Sequence, residues 1–392
     1  MNVCFISSYP PQNEGIAKHT EQIVSDYKKQ NIEVSVIAPH AANEKSLNEK
    51  GIYRKLSMNP VEVFQTVSLI STLNPDIIHV QYLIPLYGFY SFVLFSLLFF
   101  IKVTTNIKLI VTYHEVKRET NRLGILGVLY YTGISGLFDR IYIHTHEAES
   151  ILLSKCHIQR AKLRVIPLGT SEFPKTSISE KIIRNKYKLY KKNIILSFGY
   201  IHIHKGIEYL LEAIALLFKT HPELTNNTQT IIVGSVRPRK GIFRFFGKVD
   251  EQYYQKLKTI VLKHSLQKSV SFESGIPDES IPTLFNMTKV IVLPYTDTEQ
   301  SAVLHHAISS YVPVIASNIG GLKETLQETG VLVPPKDPKA IANELYKLLS
   351  NENQFKMLVE KYKKLSRRIS LHTRNKDVIN DYKMLLKKIY EN

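Results

Sequence analysis

The 392-residue chain has only two cysteines, Cys4 and Cys156. Cys4 lies in an apolar run near the start and Cys156 far from it, so no disulfide framework can be drawn and a reducing compartment is expected. No secretory leader is expected either: residues 1–7 (MNVCFIS) carry no basic residue and read as a buried first strand. No short-period repeat or low-complexity tract appears. Acid is scarce relative to base, with 34 Asp and Glu against 51 Lys and Arg and a formal net charge of +17. The chain also has little in the way of long uncharged runs. One does occur at residues 83–101 (LIPLYGFYSFVLFSLLFFI), and its length meets the rule for a membrane span. Pro85 and Gly88 interrupt it, however, and strand-like runs flank it, so a span would tear those strands out of a common sheet. It reads as a helix on the sheet whose outer face is apolar enough to rest on a bilayer, with a fully buried helix and a true span as the alternatives.

What is present describes an ordinary folded protein, 44% apolar and 22% charged, long enough to bury two substantial cores. The basic surplus is uneven. Residues 1–170 hold 17 basic and 13 acidic side chains, and the remainder 34 and 21. Residues 236–249 (VRPRKGIFRFFGKV) carry five basic groups, three Phe and no acid, and the tail from Lys356 is also basic. Such surfaces suit an anionic membrane, nucleic acid or an acidic substrate, or are simply solvated lysine. No RNA-binding motif accompanies them, and nucleic acid is not expected as a partner.

Strand and helix patterns alternate throughout. Short apolar runs at 3–7, 33–38, 76–80, 108–112, 140–145 and 164–166 are separated by helix-length segments such as 16–29, with Ile16, Thr20, Ile23, Val24 and Tyr27 on one face. The second half repeats this at 194–198, 230–233, 270–273, 290–293, 314–316 and 331–333. This βα alternation predicts parallel sheets covered on both sides. A poorly periodic, basic linker around 171–192, containing Pro174, marks a domain boundary. The expected domains are therefore residues 1–170 and 171–370, followed by a final helix in 371–392.

Two segments carry chemistry. Residues 294–324 (PYTDTEQSAVLHHAISSYVPVIASNIGGLKE) read as a strand end, a polar loop, a helix opening near Ser301, a buried strand and a Gly-Gly turn. A helix N-terminus just beyond a parallel strand aims unpaired N–H groups into a cleft, where anions bind. Upstream, Gly199 ends the run IILSFG, and Lys205-Gly206 enter a helix predicted over 207–219 with Ile207, Leu210, Leu211, Ile214, Leu217 and Phe218 on its stripe. That arrangement sets one ammonium beside a phosphate-sized pocket.

These pieces, taken in order along the whole chain, resemble the retaining glycosyltransferase family 4. The matching residues are the Gly15 loop, Tyr113-His114-Glu115, Val165-Ile166-Pro167-Leu168-Gly169, Phe198-Gly199 with Lys205-Gly206, and Gly275-Ile276-Pro277-Asp278. Gln300-Ser301, Pro313 to Ser317, Gly320-Gly321-Leu322 and Glu324 complete the set. The resemblance implies an α/β GT-B fold, two Rossmann-like, doubly wound parallel-sheet domains facing across a cleft. The N-terminal domain would bind acceptor, the C-terminal domain would bind nucleotide sugar, and the last helix would return to the first domain.

The resemblance also implies roles. Lys205 and the backbone amides around Ser301, Ala302 and Val303 neutralise the diphosphate. His114, at a strand end where α/β sheets bind ligands, faces the transferred sugar. Gly15 lets backbone approach phosphate. Gly199, Ile276, Glu299, Gln300 and His306 complete the donor contacts. His79 and Gln81 alternate onto one face of their strand and line the acceptor side, or His79 is a satisfied core histidine. Asp297-Thr298-Glu299 superficially suggests a metal motif, but it lies where diphosphate is expected, so neither metal nor cofactor is expected beyond the donor substrate. The family usually carries two Glu eight residues apart here; this chain has Thr298 and His306 in their places, with Glu299 one residue off. Gln300-Ser301-Ala302 resembles the subset with Gln-Ser-Gly, and Tyr200 stands where many members have Arg.

The expected function is transfer of sugar from a nucleotide-diphosphate sugar to a saccharide acceptor, free or lipid-linked, in bacterial surface polysaccharide synthesis. The expected location is the cytoplasmic side, peripheral on the inner face of the plasma membrane. A non-transferring nucleotide-sugar epimerase, using Glu115 and Glu299, is one rival. A membrane-binding module with a decayed site is another.

Overall fold

The computed structural model describes residues 1–12, 15–40, 49–56, 60–83, 91–170, 178–236, 244–327 and 329–387. The chain divides into two compact units, Met1–Gly169 with Leu371–Asn392, and Thr170–Ser370. The final segment belongs to the first unit.

The first unit is built on seven strands: β1 Asn2–Ile6, β2 Glu33–Pro39, β3 Ile52–Leu56, β4 Ile77–Tyr82, β5 Lys108–Tyr113, β6 Arg140–Ile143 and β7 Leu163–Val165. They lie side by side in the order β3-β2-β1-β4-β5-β6-β7, and every pairing is parallel. β1 and β4 are buried along nearly their whole length, as a sheet covered on both faces requires. One covering layer packs Leu94, Leu97, Leu98, Tyr131 and Ile134 against Ile78, Val80, Val111 and Ile141. The other packs Ile23, Val24 and Tyr27 of the helix Gly15–Lys29, with Val378, Ile379 and Tyr382 of the helix Leu371–Lys387, against Val3, Phe5 and Ile110.

The second unit has six strands, β8 Asn193–Phe198, β9 Thr228–Val233, β10 Val270–Glu273, β11 Val290–Leu293, β12 Val314–Ser317 and β13 Val331–Val333, ordered β10-β9-β8-β11-β12-β13 and again all parallel. The stripe expected on the helix after Lys205 is present. Ile207–Thr220 buries Ile207, Leu210, Leu211, Ile214 and Leu217.

Each unit is therefore doubly wound. In both sheets the strand order reverses once, between β1 and β4 in the first and between β8 and β11 in the second, the kind of place where open α/β sheets bind ligands.

The uncharged run 83–101 is a helix only in part. Residues 84–90 lie outside the described residues, and the helix Ser91–Thr104 buries Leu94, Leu97, Leu98 and Ile101 while exposing Phe99, Phe100 and Val103. Among the described residues no helix is long and apolar enough to cross a membrane. Of the basic run 236–249, residues 237–243 lie outside the described residues.

Candidate functional site

In the second unit the candidate site gathers at the β8/β11 edge. Gly199 follows β8 with φ +109°, in the half of backbone space that side chains disfavour. The chain then turns through Lys205 to Gly206, which caps the helix Ile207–Thr220 with φ +59°. A Cβ on Gly206 would overlap the carbonyl oxygen of Pro294, so glycine is needed for this loop to pass under the one leaving β11. The two loops are tied directly, Thr296 N donating to His204 O at 3.0 Å.

Leaving β11, Tyr295 is buried, and its hydroxyl accepts from Lys205 Nζ at 2.5 Å while lying 3.5 Å from Ser301 Oγ. The ammonium also sits 3.9 Å from the Tyr295 ring centre. Ser301 caps the helix Ala302–Ser309, its Oγ accepting from Leu304 N at 3.3 Å. Ala302 and Val303, the first two helical residues, have amides without a helical acceptor by geometry. Val303 packs beside Gly199 and Lys205. One fixed cation and a helix N-terminus thus lie together at the switch point, the arrangement that holds an anion.

The neighbouring loop is held by close backbone packing. Gly321 N donates to Glu299 O at 3.0 Å, and a Cβ at Gly321 would overlap that same oxygen and crowd Gln300. Glu299 is buried, Thr298 Oγ1 donates to Gln300 O at 2.8 Å, and His306 is half-buried with its ring edge-on to Phe285. Ile276, after Gly275 at φ +68°, packs against the same core as Phe198. Tyr200 is half exposed. Among the described residues, no group of three or more His, Cys, Asp and Glu is placed to hold a metal ion.

In the first unit the carboxyl edge of the sheet carries histidines. β5 and β6 end in register at Tyr113 and Ile143, so the next residues, His114 and His144, fall side by side. Their rings are 4.9 Å apart between centres, with His114 Nδ1 3.2 Å from His144 Nε2. His114 Nε2 lies 2.8 Å from Gln81 Oε1 at the end of β4, and His144 Nδ1 donates to the carbonyl of Ile166 at 2.9 Å. His19, on the helix Gly15–Lys29, meets His114 edge-on at 6.2 Å. Burial, with the neighbouring imidazoles, holds His114 well below the ordinary histidine range, and burial alone lowers His144. A cavity of about 40 Å³ borders this group, lined in part by His19, His79, Gln81 and His144.

Gln81 joins this cluster, while His79 borders the same cavity from within the core. It is 3% exposed, with Nδ1 2.5 Å from Tyr382 Oη and Nε2 2.7 Å from Thr112 Oγ1, and Phe5, Tyr142 and Tyr382 enclose its ring. Both nitrogens are engaged, so it is the core histidine of the two sequence alternatives. Gly15 opens its helix with no heavy atom within 4 Å of a hypothetical Cβ, so packing does not demand glycine there. Three residues escaped the sequence reading: Tyr295, which pins Lys205, and the histidines 19 and 144. The strand-end signal that marked His114 did not mark His144, because the apolar run 140–145 read through it, whereas β6 stops at Ile143.

Known proteins share the two-part sequence pattern and the fold. Residues 13–171 match the family model described as Glycosyltransferase Family 4, and residues 179–368 match Glycosyl transferases group 1. The capsular polysaccharide biosynthesis glycosyltransferase CapM of Staphylococcus aureus is 28% identical over 203 residues, covering 49% of this chain and 47% of CapM. The chain matches less than half the length of the first curated relatives. A glycosyltransferase from Rickettsia africae superposes with TM-score 0.75 at 19% identity over 98% of each chain. HepE of Anabaena, solved with UDP-glucose, superposes with TM-score 0.71 at 15% identity over 98% of this chain and 100% of its own. With two doubly wound parallel sheets that superpose on these structures and both family models matched in order, the chain belongs to the GT-B glycosyltransferases, joining a family 4 N-terminal domain to a group 1 C-terminal domain.

Proposed function

We propose that this protein is a retaining, metal-independent glycosyltransferase that moves a sugar from a nucleoside-diphosphate sugar to a saccharide acceptor in surface polysaccharide synthesis. The Thr170–Ser370 unit holds the donor. The observation that carries this reading is the meeting of Lys205, Tyr295 and the Ser301-capped helix at the β8/β11 switch point.

The hard part of the reaction is charge that builds on the leaving diphosphate. Lys205 Nζ and the amides of Ala302 and Val303 are fixed before the reaction and need little reorganisation to meet that charge. The C1–O bond to phosphate breaks, a bond from C1 to the acceptor oxygen forms on the same face, and the acceptor proton passes to the departing phosphate. Gly15, Gly199, Ile276, Glu299, Gln300 and His306 are the further donor contacts, with His306 taking the ribose in place of a glutamate. His114 faces the transferred sugar, and Gln81 lines the acceptor side. UDP-glucose bound to HepE and the capsule role of CapM support a nucleotide-sugar donor and a saccharide acceptor.

The acceptor is lipid-linked and the protein peripheral on the inner face of the plasma membrane. The support is the apolar surface of the first unit: Phe99, Phe100 and Val103 on one helix, and Ile125, Leu126 and Leu129 on another, with Ile125 69% and Leu126 68% exposed. Epimerase chemistry is less well served, since Glu115 is ion-paired with Arg118 at 2.9 Å and Glu299 is buried.

The test is transfer of radiolabelled sugar, from a panel of nucleotide sugars, to bacterial lipid extract. Label should enter the organic phase, and Lys205→Ala should lower kcat on the order of 100–1000-fold with folding intact. Undiminished turnover in the variant removes the donor assignment; label confined to the aqueous phase removes the lipid-linked acceptor.

A further inference from the structure

We propose that Tyr295 is a catalytic residue whose hydroxyl gives its own hydrogen to an oxygen of the departing diphosphate while Lys205 holds the phenolic oxygen. The proposal rests on the donor reading above and deepens it. Every group involved lies within the Thr170–Ser370 unit.

The argument begins with direction. An ammonium can only donate, so in the 2.5 Å bond between Lys205 Nζ and Tyr295 Oη the tyrosine is the acceptor. That bond uses a lone pair and leaves the phenolic hydrogen to be placed. Beside it stands a second hydroxyl in the same position. Ser301 Oγ accepts from Leu304 N at 3.3 Å, which again uses a lone pair and not the hydrogen. The two hydroxyl oxygens lie 3.5 Å apart, beyond the roughly 2.7–2.8 Å of a good O–H···O bond. Even if one spends its hydrogen on the other, the pair holds two hydrogens and uses one. However the hydroxyls turn, a donor is left over.

Placement and chemistry say which hydroxyl gives it. Tyr295 is 3% exposed, so packing fixes its ring, and its oxygen stands between the Lys205 ammonium and the Ser301-capped helix end with the open amides of Ala302 and Val303. A phenol is a stronger acid than an alkanol, and an ammonium on its oxygen polarises the O–H further. The phenolic hydrogen therefore goes to the most charged acceptor offered, a phosphate oxygen, and Ser301 can turn its own hydrogen to the tyrosine oxygen. As the C1–O bond breaks, charge collects on that phosphate and the hydrogen bond strengthens. No proton leaves Tyr295; the acceptor proton still passes to the phosphate.

Tyr295→Phe removes the hydroxyl and keeps the ring whose centre lies 3.9 Å from Lys205 Nζ. In the radiolabel assay it should lower kcat about 10–100-fold, with a smaller change in donor KM. A tyrosine that merely steadies Lys205 predicts a similar loss, and a double-mutant cycle separates the two. Added to Lys205→Ala, Tyr295→Phe should cost several-fold more turnover; a role confined to holding the lysine adds nothing. A ring-fluorinated tyrosine at position 295, kept below the pH at which it ionises, gives a second reading. It is a stronger donor and a weaker acceptor, so calorimetry with UDP, GDP, ADP and dTDP should show several-fold tighter binding. Should Tyr295→Phe fail to fold, the fluorinated chain, whose shape is nearly native, carries the decision. Unchanged or weaker affinity there, or no further loss in the double variant, overturns the proposal and leaves the donor reading intact. If the native chain binds none of the four, both readings fall together.

Discussion

His79 shows what a fully enclosed imidazole does to a protein of this kind. Its ring is hydrogen-bonded at both nitrogens, and burial pushes its pKa down to about 3. His19 is depressed to a similar value by burial and by His144. An unfolded chain protonates its histidines near 6.5, whereas the folded one keeps these two neutral, so below that pH the unfolded state binds more protons and native stability falls. Each such histidine removes roughly 1.4 kcal/mol per pH unit below about 6.5. Chemical denaturation midpoints should therefore hold steady above neutrality and decline steadily in the acid range. His79→Gln should be less stable at neutral pH yet decline less steeply. A wild-type midpoint indifferent to pH between neutrality and the carboxylate range contradicts the placement of these rings.

At the scale of elements, the helix Leu371–Lys387 is fastened to the first sheet by charge as well as by packing. Asp381 is buried, 2.8 Å from Arg140 Nε and 3.4 Å from Arg164 Nε, and it accepts from the Tyr142 hydroxyl at 2.9 Å. Asp381→Asn keeps the shape but strands the Arg140 charge in the interior, with an expected loss of about 3–5 kcal/mol. Equilibrium urea unfolding measures it, and a loss too small to resolve rejects the idea that this helix is an integral layer. The alternation of apolar runs made the parallel strands legible. β8 was expected at 194–198 and runs Asn193–Phe198. The exception is β3, whose sequence IYRKL breaks its apolar run at Arg54 and Lys55; it is an edge strand, where charged side chains are tolerated. Side-chain depth was the other gap. Alternation put His79 and Gln81 on one strand face, but the Tyr382 hydroxyl that closes over His79 comes from 303 residues later in the chain. His144 was read inside a strand at 140–145; β6 stops at Ile143, and only its register with β5 sets His144 beside His114.

For the molecule as a whole, two sheets wound alike carry different chemistry at their carboxyl edges. The second offers a cation and open amides; the first offers neutral imidazoles and an amide. Motif spacing exposed the former because Gly199, Lys205, Gly206 and Ser301 sit at the loop positions where backbone geometry limits residue choice. The proposed division of labour follows, anion at one edge and sugar hydroxyls at the other. Its most direct test is a crystal structure of the protein with a nucleotide sugar that calorimetry has shown to bind. The account predicts the two phosphates within hydrogen-bonding reach of Lys205 Nζ and the amides of Ala302 and Val303. Phosphates ordered anywhere else, with those three groups facing solvent, contradict it.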